Sequence, residues 1–71
     1  MTATERRKVQ AIIVRLADQG PVLWGTIRDT IIAEGVEVKN WFDVRNILQS
    51  LIELGWLVRT NSTAIEQYRR Q

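Results

Sequence analysis

The stretch "DVRNILQSLIELGWLVR", residues 43–59, constrains the fold more than any other part of the chain. Val44, Ile47, Leu48, Leu51, Ile52 and Leu54 recur at the spacing that lines one face of a helix, and the pattern stops at Gly55. Trp56, Leu57 and Val58 then read as strand, closed by Arg59. The chain must therefore place an amphipathic helix, one glycine and a strand in direct succession.

Seventy-one residues make a single domain, 1–71, with no room for a second. Folding at this size buries only about 60% of the surface that the unfolded chain exposes, so the core is thin. The sequence has no cysteine and no histidine. Disulfides and thiolate metal sites are excluded, and so are the commonest general base and the commonest zinc ligand. The longest apolar run, "AIIV" at 11–14, is far below the roughly 20 residues that span a bilayer. No signal peptide is visible in "MTATERRKVQ", and the expected location is the cytoplasm, without membrane attachment.

The net charge of +2 is unevenly placed. Up to residue 38, Arg6, Arg7, Lys8, Arg15 and Arg28 are cancelled by Glu5, Asp18, Asp29, Glu34 and Glu37. Beyond it, Lys39, Arg45, Arg59, Arg69 and Arg70 outnumber Asp43, Glu53 and Glu66. The excess sits in the half that holds the opening stretch, where it suits phosphate binding but is also common on ordinary surfaces.

Thr2 and Glu5 form a capping box for a first helix, in which Val9, Ile12, Ile13 and Leu16 make one buried stripe. Gly20 and Pro21 end it. Arg6, Arg7, Lys8 and Arg15 read as a solvated face. "PVLW" at 21–24 suits a brief strand that pairs with a later hairpin. A second helix runs from about Gly25 or Thr26 to Ala33, with Ile27, Ile31 and Ile32 apolar, and Gly35 stops it. "VEVK" leads to the third helix, 41–54, with Asn40 as N-cap and Asp43 facing the positive end of the helix dipole.

The tail has two readings. As a hairpin, Asn61-Ser62 is the turn, Thr60 faces Thr63, Val58 lies opposite Ile65 and Trp56 opposite Gln67. As a helix, Thr63 and Glu66 form a capping box before "AIEQYRRQ". The hairpin is preferred, because a lone eight-residue helix is marginal and "PVLW" needs a pairing partner.

With the hairpin, the element order resembles the winged helix-turn-helix family: a three-helix bundle with a short strand and a C-terminal β-hairpin wing, an α+β fold. The resemblance spans nearly the whole chain and rests on Val44, Leu48, Leu51 and the run Gly55-Trp56-Leu57-Val58-Arg59, supported by Ile27 and the Asn40 cap. It implies that the third helix enters the DNA major groove, where base edges are distinguishable. The wing, about 57–68, would lie on the backbone or minor groove.

Carried over residue by residue, the outward positions are Lys39, Asn40, Asp43, Arg45, Asn46 and Gln49. Arg45 would take a guanine edge or a phosphate, and Asn46 or Gln49 would read adenine. Arg59, Arg69 and Arg70 would neutralise phosphates, and Thr60, Asn61 and Ser62 would contact the backbone. The chain departs from the family at Trp41 and Phe42, where small polar residues are usual, and at Asp43, where a serine or threonine often stands. Trp41 and Phe42 either plug the core or mark a protein-binding surface. Trp24, Trp56 and Tyr68 are expected to pack.

The leading expectation is a small, non-enzymatic duplex-DNA-binding protein of the kind phages and mobile elements encode. It would be a transcription regulator or accessory factor, acting as a homodimer or cooperative array because one module buries little DNA surface. The alternative is a protein-interaction module that uses Trp41, Phe42 and the third-helix face. No glycine-rich phosphate loop, paired carboxylates or ligand cluster supports catalysis, metal binding or a cofactor.

Overall fold

In the computed structural model, which describes residues 1–62 and 65–71 and the side chains outside 61–65, the elements follow in the order α-β-α-α-β-β. They are α1 (Ala3–Asp18), β1 (Val22–Leu23), α2 (Trp24–Ala33), α3 (Trp41–Glu53), β2 (Leu57–Ser62) and β3 (Ile65–Arg70). The chain is thus an α+β domain of three helices and a three-stranded antiparallel sheet.

Local signals set the helix ends. The Thr2 hydroxyl accepts the Glu5 N–H at 3.1 Å, and the Glu5 carboxylate accepts the Thr2 N–H at 2.9 Å. These bonds, the Thr2 amide first, hold the Glu5 carboxyl below its usual range. Asn40 Oδ1 accepts the Phe42 N–H at 2.9 Å and starts α3. At the other end Gly55 takes φ +83°, where a side chain would be strained. Its N–H bonds the Ile52 carbonyl while that of Trp56 bonds Leu51, both at 3.0 Å. This paired closure satisfies carbonyls that α3 would otherwise leave open, and it turns the chain directly into β2.

The core gathers Val9, Ile12, Ile13 and Ala17 of α1, Ile27 and Ile31 of α2, and Val44, Ile47, Leu48 and Leu51 of α3. Val22, Leu57 and Tyr68 close it from the sheet. Helix α1 packs against α2, α3 and β3. Val36 and Val38 pack on the edge of the core, whereas Ile32 and Leu54 stay exposed.

Strand β3 is the middle strand, between β1 and β2. The tail is therefore a hairpin and not a helix over the described residues, and "PVLW" does supply a strand, with Val22 opposite Tyr68. The expected register is wrong. Val58 lies opposite Arg69 rather than Ile65, and Trp56 precedes β2 instead of pairing with Gln67. Asn61 and Ser62 do not turn: they continue β2, opposite Glu66 and Ile65. Thr60 lies opposite Gln67 rather than Thr63, and the Thr63 capping box lies outside the described residues. In this register Tyr68 sits between Val22 and Arg59 with its ring in the core. Trp56 also departs from expectation. Pleating turns its neighbour Leu57 inward, so Trp56 stands 51% exposed against the Arg70 guanidinium, 5.3 Å from the ring centre.

Candidate nucleic-acid interface

The exposed face of α3 and the inner face of the hairpin meet at one carboxylate. Leu57, Arg59, Glu66 and Tyr68 share the helix-facing side of the sheet by strand alternation and pairing. Leu57 and Tyr68 are buried on that side, whereas Arg59 and Glu66 keep side chains 49% and 32% exposed. Glu66 Oε2 lies 3.7 Å from Arg45 Nη2 of α3, and Glu66 Oε1 lies 3.4 Å from Arg59 Nη1 of β2. The buried Tyr68 donates its hydroxyl hydrogen to Glu66 Oε2 at 2.8 Å. Burial first, then the Glu66 carboxylate, push the Tyr68 hydroxyl up to about 12.

Arg45 has a second neighbour. Its guanidinium carbon sits 4.8 Å from the centre of the Trp24 ring, a cation–π contact from α3 to the start of α2. Trp24 in turn meets Trp41 edge to face, with centroids 6.2 Å apart. Both tryptophans are half-buried against the core. Phe42 is different: it is 75% exposed. Trp24, Lys39, Asn40, Trp41, Phe42 and Arg45 line an open groove of about 330 Å³ at the head of α3. Across Lys39 lies a separate cleft of about 490 Å³ that holds Glu5, Glu37 and Asp43. The surface that suits an anion therefore ends at Lys39.

The residues singled out from the sequence separate into groups. Lys39, Asn40, Trp41, Phe42 and Arg45 share the groove, and Arg59 joins Arg45 through Glu66. Asn46 and Gln49 are exposed on α3. Asn61 contributes its backbone to β2. Arg69 pairs with Val58, whose neighbours Leu57 and Arg59 face the helices, so it belongs to the outer face of the sheet. Arg70 is at the far end, 3.4 Å from Asp18 and over Trp56.

Sequence reasoning missed Glu66 and the Trp24–Arg45 contact. Each depends on elements far apart in the chain, and no spacing rule announces either. Among the described residues, no group of three or more acidic, histidine or cysteine side chains could hold a metal, and no helix is long and apolar enough to cross a membrane. No family model, curated protein or solved structure matches this chain.

Proposed function

We propose that the chain is a winged helix-turn-helix domain that binds duplex DNA without catalysing a reaction, as a transcription regulator or accessory factor. The observation that carries this reading is the meeting of Arg45 and Arg59 at Glu66, which joins the exposed face of α3 and the hairpin into one surface. In this reading α3 lies in the major groove, with Arg45, Asn46 and Gln49 toward base edges. Arg59 and Lys39 meet phosphates. Arg69 and Arg70, expected to neutralise phosphates, stand apart from this surface and are left out of the proposed contact. One such module buries about 600–1,000 Å² on DNA, which favours a homodimer or cooperative array on repeated sites.

The ion pairs at Glu66 do not block phosphate. The Arg45, Arg59 and Glu66 side chains remain 43%, 49% and 32% exposed, and pairs of this kind are worth about 0–1 kcal/mol. A duplex phosphate replaces Glu66 at little cost.

A protein-interaction module is the second reading, favoured by the 75% exposure of Phe42. Titration of a random duplex at rising salt separates the two. Each neutralised phosphate contributes a slope of about −0.9 to log K against log salt, so Lys39 and Arg59 together give about −2. A protein-only module gives no binding and no slope.

A further inference from the structure

We propose that the groove at the head of α3 holds one extrahelical nucleotide of a DNA duplex, its base stacked on Phe42 and Arg45 and its phosphate drawn to Lys39. This rests on the duplex-binding reading and names the kind of duplex preferred: one with an unpaired base.

Phe42 carries the argument. It is the second residue of α3, its N–H is held by Asn40, and its ring is 75% exposed. The wall behind it is fixed, because Trp41 is braced edge to face on Trp24 and both pack against the core. Arg45 lies over the Trp24 ring while its side chain stays 43% exposed. A base can thus extend a stack of aromatic ring and guanidinium plane, which is how unpaired bases are held by proteins.

Charge selects the occupant. The charged groups lining the groove among the described residues are Lys39 and Arg45, both cationic, and the nearby carboxylates Glu37 and Asp43 line the other cleft. A flat apolar face with an attached anion is the chemistry of a nucleotide. The volume, about 330 Å³, is at the small end for ligand clefts and suits one such unit. In a continuous duplex each base face is covered by its neighbours, so only an unpaired base has a face to offer.

The test compares a continuous duplex with the same duplex carrying one bulged adenine, by fluorescence anisotropy, with a fluorescent adenine analogue at the bulge as a second readout. The bulged duplex should bind about tenfold tighter, within the range given by base–aromatic stacking, and the analogue should be quenched on binding. Phe42→Ala should erase the preference and the quenching while binding to continuous duplex is kept; Phe42→Trp should restore both. Equal binding of the two duplexes, or a preference that survives Phe42→Ala, overturns the groove assignment and leaves duplex binding standing. Binding to neither duplex overturns the duplex reading and the groove with it. A dimer in light scattering that Phe42→Ala dissolves assigns the groove to a second copy and overturns the nucleotide.

Discussion

Tyr68 and Glu66 join the core to the surface: the tyrosine ring is 2% exposed, and its hydroxyl donates to the Glu66 carboxylate at 2.8 Å. The same carboxylate faces Arg45 and Arg59, so the burial of one ring fixes where two exposed cations converge.

A pH dependence follows from this contact. The folded state raises the Tyr68 hydroxyl from 10.0 to about 12, so the unfolded chain releases this proton first as pH rises. The stability that the neutral hydroxyl contributes is complete below about pH 10 and is lost as pH rises toward about 12. Tyr68→Phe should cost about 1 kcal/mol near neutral pH through the lost hydrogen bond, and should flatten the alkaline decline. Denaturant midpoints of parent and variant across this window check it. Parallel curves would show that the Tyr68 proton does not contribute to the alkaline loss.

The two glycines at positions 55 and 25 should respond oppositely to alanine. Gly55 has φ +83°, and an added Cβ would meet only Gln71 Oε1 at 3.7 Å, so the penalty is backbone strain alone. Gly55→Ala should cost about 1–2 kcal/mol. Gly25 lies in α2 with ordinary φ and nothing within 4 Å of an added Cβ. Gly25→Ala should stabilise by about 0.4–1 kcal/mol, mainly by restricting the unfolded chain. Thermal melts that shift the same way for both would refute this account of the two glycines.

Local chemistry explains why some of this fold was legible in the sequence. The Thr2–Glu5 box, the Asn40 cap and the Gly55 stop are satisfied within a few residues, so spacing alone reveals them. The register of the hairpin is not local. Matching Val58 to Ile65 treats the hairpin as self-sufficient, whereas Tyr68 must reach Val22 and the core at once. Trp56 misleads for a related reason: hydrophobicity says it should be buried, but the closure at Gly55 fixes the pleat that turns Leu57 inward instead. At the candidate site, Arg45 was visible as an outward position, whereas Phe42 had two readings, core plug or exposed contact, and is 75% exposed. The carboxylate that links Arg45 to Arg59 was not visible, since it comes from a third element.

Leu48 and Leu51 test the helical core. They are 2% and 1% exposed on α3, which packs against α1. Truncating either to alanine removes burial and leaves a cavity, at a cost of about 2–5 kcal/mol. Set against about 5–15 kcal/mol for a whole domain, that is a large share in a core this thin. A melting temperature within a degree or two of the parent, taken by circular dichroism, would contradict the packing.

The last prediction separates base reading, phosphate contact and internal competition in the proposed DNA complex. Arg45 is on the exposed face of α3, so Arg45→Ala should lower affinity for a preferred site by about 1–3 kcal/mol and relax preference at one position. Arg59 is on the hairpin, so Arg59→Ala should weaken all sequences alike and reduce the salt slope by about one. Glu66→Gln keeps an acceptor for the Tyr68 hydroxyl but removes the charge that faces both arginines. If Glu66 competes with phosphate, binding to random duplex should tighten and its salt slope should steepen. Weaker binding by Glu66→Gln, with an unchanged melting curve, would mean that the carboxylate instead holds the two guanidinium groups in their DNA-facing positions. Competition would then be the wrong account of Glu66, while the joined surface of α3 and hairpin would remain the binding face.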